Sequence, residues 1–276
     1  MDSLNSKNLR TNIILISFLC SSFVVNAQEW EKITSVDLKK NIEQVSIDRQ
    51  GNLYMEVESG AIEKYNRDGV FQRHFSPNKK SNPSLIEAWQ GLRVFVFYKD
   101  FQEYLFLDRL MNSSERYALD NQKIASYSSI TTIAADNNLW VLDAQALSIK
   151  KIDISNQEII NENFLSLKLT PIDFDFTTMR EYQNLLFIGD RKNGILVFDN
   201  IGNYIETLPI DGIDYFSFNG SNLVAKKDAK LILFDIYKRQ KKEVSLPDSS
   251  PYSFVLMENT RVFLFSSSKL DIYELN

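Results

Sequence analysis

Short apolar runs recur along the chain, cut at regular intervals by Gly, Asn and Asp. Residues 48–69, DRQGNLYMEVESGAIEKYNRDG, show the unit most plainly: two five-residue runs between three turn signals. Runs this short, bounded by turn residues and rich in aromatic and β-branched side chains, predict strands. The run after each turn recurs as GNLYMEV (51–57), GLRVFVF (91–97), NNLWVLD (137–143), QNLLFIGD (183–190), SNLVAKK (221–227) and NTRVFLF (259–265). The markers Leu53, Val94, Leu139, Leu185, Leu223 and Val262 lie 41, 45, 46, 38 and 39 residues apart.

A second series keeps the same rhythm. IEKYN, YLFLD, IKKID, ILVFD, LILFD and LDIYE end at Asn66, Asp108, Asp153, Asp199, Asp235 and Glu274, spaced by 42, 45, 46, 36 and 39. A short Asp or Asn at a strand end accepts hydrogen bonds from N–H groups a few residues on and so fixes a turn. These residues are assigned to turns, not to catalysis.

A third strand is predicted before each pair: residues 43–48, 85–89, 130–136, 172–176, 214–218 and 252–258. SLIEAWQ (84–90) also has room for a helical turn. A fourth follows at 71–75, 114–119, 158–164, 203–210 and 241–246. The sixth unit lacks its fourth strand, and EKITSVDL (31–38) can supply it. Six four-stranded units of about 40 residues predict an all-β, six-bladed β-propeller whose last blade is closed by the N-terminal strand. Pro77, Pro83, Pro171, Pro247 and Pro251 fall between strand groups, where a missing N–H is harmless.

Composition changes this picture little. Apolar residues at 44% and charged residues at 24% of 276 suit a chain with a real core. The N-terminus is separate. Lys7 and Arg10 precede NIILISFLCSSFVV, and Val25 and Ala27 stand at −3 and −1 of a cut before Gln28, as in a secretory signal. Residues 1–27 are therefore expected to be a signal peptide and residues 28–276 the propeller. Lipidation at Cys20 is the alternative, disfavoured by the bulky Leu19; an uncleaved anchor is another. Without residues 1–27 the chain holds 29 basic and 35 acidic residues, a net charge of −6, which argues against a nucleic-acid partner. Cys20 is the only cysteine, so the mature part forms no disulfide. Export without disulfides points to a bacterial envelope, in the periplasm or at the outer membrane.

The phrase D-x-x-G-N-L-Y followed by G-x-I-x-K-Y-N-x-D-G resembles the blade repeat of NHL-type six-bladed propellers. Asp48, Gly51, Asn52, Leu53 and Tyr54, then Gly60, Ile62, Lys64, Tyr65, Asn66, Asp68 and Gly69, carry the match. The exported form is similar to envelope propellers of Gram-negative bacteria, many of them interaction scaffolds. Some six-bladed relatives are calcium-dependent lactonases, whose cation needs oxygen ligands from several blades. Matching positions for that ligand set are not found here.

Candidate site residues are the acids on or beside the innermost strands: Glu43, Glu87, Asp173, Asp175 and Asp214. In PIDFDF, Asp173 and Asp175 alternate with Ile172, Phe174 and Phe176, which would aim both acids at the channel. The single histidine, His74, is expected on an outer strand, and a mechanism needing two imidazoles is excluded. KKDAK (226–230) and KRQKK (238–242) read as solvated turns or as a local basic patch for lipid head groups at a membrane surface. Trp30, Trp89 and Trp140 are expected to pack between blades. The leading reading is a non-enzymatic scaffold for envelope proteins, needing no cofactor, with no transmembrane helix in the mature chain. The alternatives are a Ca2+-dependent hydrolase and a small-ligand or sugar binder at the channel mouth.

Overall fold

The computed structural model describes residues 30–38, 41–119, 124, 127–167, 169, 173–248 and 251–276. The expected signal segment and Cys20 lie outside them. The described residues form twenty-four strands and no α-helix. Strand β1 is Trp30–Asp37. Blade one is β2 (Ile42–Ile47), β3 (Leu53–Val57), β4 (Ala61–Tyr65) and β5 (Phe71–Phe75). Blade two is β6 (Leu85–Glu87), β7 (Val94–Tyr98), β8 (Glu103–Leu107) and β9 (Tyr117–Ala118). Blade three is β10 (Ser128–Ile133), β11 (Leu139–Asp143), β12 (Ser148–Asp153) and β13 (Glu158–Phe164). Blade four is β14 (Phe176–Tyr182), β15 (Leu185–Asp190), β16 (Gly194–Asp199) and β17 (Tyr204–Leu208). Blade five is β18 (Phe216–Asn219), β19 (Asn222–Lys227), β20 (Lys230–Asp235) and β21 (Gln240–Ser245). Blade six is β22 (Phe254–Glu258), β23 (Arg261–Phe265) and β24 (Lys269–Leu275).

Each sheet is an antiparallel meander, and β1 completes blade six by pairing with β24, from Trp30 against Leu275 to Asp37 against Lys269. The molecule is a six-bladed β-propeller with its ends joined in one sheet. Each strand of a blade sends alternate side chains into its two neighbours. In β7, Val94, Val96 and Tyr98 face blade one, while Phe95 and Phe97 face blade three. The core accordingly divides into six apolar clusters, one at each blade junction.

The turn residues act as their chemistry requires. Asp108, Asp199 and Asn66 each accept two backbone N–H bonds from residues two and four positions on, at 2.8–3.0 Å. Asp153 and Asp235 do the same with residues two and three on. Gly69 has a positive φ of 78°, and a Cβ there would meet Val36 at 2.7 Å, so only glycine lets blade one lie against β1.

The inner strand of blade four differs from the sequence expectation: residues 173–175 belong to no strand, and β14 starts at Phe176. Pairing to β15 decided the matter over local pattern. Within 85–89 the expected strand forms as β6.

Candidate functional site

The six innermost strands, β2, β6, β10, β14, β18 and β22, surround the channel. At their C-terminal ends a cavity of about 550 Å3 opens, lined by residues of all six blades, from Ser46 and Glu87 to Ala135, Arg180, Ser217 and Met257. Below it the channel is plugged by side chains. Arg180 of β14 forms an ion pair with Glu87 of β6, the two side chains being 6% and 2% exposed. Its Nη2 donates to Tyr215 Oη at 2.9 Å and its Nε to the Phe216 carbonyl at 3.2 Å. Tyr215 Oη in turn donates to the Val45 carbonyl at 2.8 Å. One guanidinium thus ties blades one, two, four and five together. Burial pushes the Tyr215 phenol up, with the Arg180 charge opposing, which keeps it a neutral donor.

Glu181, next along β14, points the other way. Its Oε1 accepts the Ala135 N–H at 2.9 Å and its Oε2 the Trp140 indole N–H at 2.5 Å, fastening blade three to blade four. Asp48 accepts N–H bonds from Gln50 and Asn52 at 2.9 Å and the Tyr54 hydroxyl at 3.2 Å. Glu258 pairs with Arg67 at 3.3 Å. Glu87, Glu181 and Asp48 are thus hydrogen-bonded to protein groups, while Glu258 Oε2 is buried and accepts no hydrogen bond.

The walls are aromatic. Trp89 meets Tyr182 edge-on at 5.4 Å between ring centroids, and Tyr182 stacks on Phe218 at 4.2 Å. The exposed Arg49 lays its guanidinium over Trp89, 4.4 Å from the ring centroid. Tyr182 Oη donates to the Gly220 carbonyl at 2.8 Å. Asn219 and Asn259 exchange hydrogen bonds at 2.7 and 2.9 Å, joining the tips of blades five and six. Ser217 Oγ is buried at the cavity without a partner.

Of the five candidate acids, Glu87 alone lines this cavity. The others lie toward the opposite ends of their strands. Glu43 is exposed and accepts from Asn82 Nδ2 at 2.9 Å. Asp175 and Asp214 share Arg191 at 2.9 and 2.5 Å, and Asp173 pairs with Lys192 at 2.7 Å. These bonds hold the Arg191 and Lys192 pKa values up, the Asp214 and Asp173 hydrogen bonds contributing most. Asp173 and Asp175 stand in the segment before β14, so the alternation of PIDFDF does not aim them at the channel as a strand would. Among the described residues no three acids or imidazoles converge where one cation would take them as ligands.

Trp30 and Trp140 pack between blades: the Trp30 indole N–H reaches the Ser245 carbonyl of blade five at 2.9 Å. Trp89 does not; it follows the end of β6 and half-emerges in the cavity. His74 is exposed on β5. The basic stretches of blade five are largely mated locally, Lys227 with Asp211, Lys230 and Lys241 with Glu243, and Arg239 with Glu206. Among the described residues no helix is long and apolar enough to cross a membrane.

Arg180, Tyr182, Tyr215, Ser217 and Trp89 were not marked by sequence reasoning. A signal existed for the first two: Phe176 lies nine residues before Leu185, whereas Trp89 lies five before Val94 and Glu258 four before Val262. Keeping that interval constant moves the strand onto TTMREY.

No protein-family model matches the chain, and no curated protein matches it by sequence. Solved structures do match in shape. Virginiamycin B lyase from Staphylococcus aureus superposes with a TM-score of 0.62 at 12% identity, over 90% of this chain and 100% of that one. The Cps50 (Swd1) β-propeller domain from Myceliophthora thermophila gives 0.63 at 11%, also over 90% and 100%. The extracellular domain of a one-component system from B. thetaiotaomicron gives 0.54 at 14%, over 84% of this chain and 33% of that one. These are an enzyme, a propeller domain and an extracellular domain, and at such identities the likeness shows the fold alone.

Proposed function

We propose that the protein is a non-catalytic binding propeller of the bacterial cell envelope, docked on an envelope protein and offering its cavity to a ligand. One observation carries this: the buried ionic groups Arg180, Glu87, Glu181 and Asp48 are held by protein groups, while the half-buried aromatic side chains of Trp89, Tyr182 and Phe218 line the walls. Arg180, Glu87, Glu181 and Asp48 make a rigid frame, with neither a poised base nor a cation site. Such a cavity holds a ligand without transforming it.

Docking fits the rim. Ile159 and Ile160 on β13, and Ile201 and Ile205 beside and on β17, are 38–51% exposed on outer strands of adjacent blades. Apolar surface on neighbouring elements marks protein contact. Export rests on the segment before Gln28, which reads as a secretory signal. Membership of an outer-membrane transport or secretion complex is the specific form of the proposal.

The test is purification of the tagged, processed protein from its native envelope in mild detergent. A stoichiometric partner is expected, released by Ile160→Lys combined with Ile205→Lys. Elution alone, or equal retention by the rim variant, would overturn the docking.

A further inference from the structure

The cavity, at about 550 Å3, falls within the range of about 300–1,000 Å3 usual for small-molecule sites. Its ligand class follows from what the lining groups still have to offer. Arg180 has committed its nitrogens to Glu87, Tyr215 and the Phe216 carbonyl. Glu181 and Asp48 are filled by donors, and Glu258 faces Arg67. An anion entering the floor finds no free cation there, and of the lining carboxylate oxygens Glu258 Oε2, 3.3 Å from Arg67 Nη2, is buried without a hydrogen bond. Arg49 keeps its charge, but at the exposed lip and stacked on Trp89.

Beyond these charges, what remains is neutral. Ser217 is 5% exposed, lines the cavity, and its Oγ has no partner. A buried hydroxyl left unpaired is destabilising, and a ligand that pairs with it recovers that cost. Ser46 Oγ accepts the Ala88 N–H and retains its own proton to donate. Asn184, at the tip between β14 and β15, offers both halves of an amide. Beside these lies the Trp89–Tyr182 wall. A hydroxyl that both gives and takes hydrogen bonds, an amide and an aromatic face are what a pyranose needs. Its hydroxyls pair both ways, and its C–H face suits the negative face of an aromatic ring.

We infer that the cavity binds a neutral oligosaccharide, one sugar ring against the Trp89–Tyr182 wall and its hydroxyls on Ser217 and Asn184. This rests on the binding reading above and names the ligand class for its cavity.

The test is calorimetry of the processed protein with maltohexaose, cellohexaose, xylohexaose and mannohexaose, with trigalacturonate as the acidic counterpart. Intrinsic tryptophan fluorescence is followed in parallel. At least one neutral hexasaccharide is expected to bind and to change the emission of Trp89. Ser217→Ala should weaken it about three- to tenfold, the loss of one hydrogen bond. Trp89→Ala should weaken it more than about tenfold, as aromatic anchors do. Trp30→Phe should leave affinity unchanged. Should Trp89→Ala melt early, Ser217→Ala and Asn184→Ala carry the test, since both are small changes. Absence of binding to all four neutral sugars, indifference to these substitutions, or tighter binding of trigalacturonate would overturn the inference. If the sugars fail while the rim-dependent partner is still captured, the ligand class falls and the docking reading stands.

Discussion

Both ends of the channel are built from acids and bases, and they behave differently. At the cavity end the side chains of Glu87 and Arg180 are 2% and 6% exposed; at the other end those of Asp214 and Arg191 are 73% and 46% exposed. A buried charge depends on its partner, because the interior offers no water to replace it. An exposed pair is screened and replaceable. The same residue types therefore hold four blades together at one end and decorate loops at the other.

The sharpest way to break the comparison is Arg180→Ala. It strands the Glu87 carboxylate in the plug and should cost about 3–5 kcal/mol in urea unfolding. Replacing the pair together, Arg180→Met with Glu87→Leu, should recover much of the loss, since two apolar side chains leave no orphan charge. A cost below about 1 kcal/mol for the single variant would mean that the plug is wet.

Trp140→Phe comes next. It keeps the ring packing between blades three and four and removes the indole N–H from Glu181, at about 1–3 kcal/mol by thermal or urea unfolding.

Glu56 tests the other end, where it is buried. It is the penultimate residue of β3 and accepts the Gly60 N–H at 3.2 Å. Burial, and then the charge of Glu43, push its carboxyl up to about 7 from an ordinary 4.5. The folded protein thus holds a proton that the unfolded chain releases between those values. Stability attributable to this group is intact below about pH 4.5, declines as pH rises toward 7, and stays low above. Glu56→Gln should abolish the decline. Between pH 5 and 8 the wild type should lose about 1–2 kcal/mol relative to the variant, after allowance for solvent screening. A parallel pH dependence in both proteins would show that Glu56 is solvated.

Arg191→Ala should do least. Its two carboxylate partners are open to water, so unfolding should shift by less than about 1 kcal/mol. A larger loss would put the two ends on the same footing.

Much of the fold was legible because its determinants are local and repeated. Leu53, Val94, Leu139, Leu185, Leu223 and Val262 begin or adjoin strands of one kind, and five of the six closing residues build the turns their side chains permit. The need for a sixth outer strand also located β1. The site was less legible. Residues 172–176 alternate more cleanly than TTMREY, yet β15 pairs with TTMREY, and pairing outweighs pattern. Arg180 and Glu87 stand 93 positions apart, with no local sign that they meet. Trp89 has the composition of a core residue and becomes a wall of the cavity only because β6 stops two residues earlier.

The pairing of β1 with β24 also has a kinetic meaning. Blades one to five are assembled from neighbours in sequence, so each can form soon after its residues are available. Blade six cannot: Trp30 must find Leu275, and closing so long a loop is entropically costly and slow. Until then β24 presents an open edge, the kind of surface through which strands of separate molecules join. A bulky fusion placed just ahead of Trp30 should therefore show its effect at the opposite end of the gene product, as slower refolding and aggregation through β24.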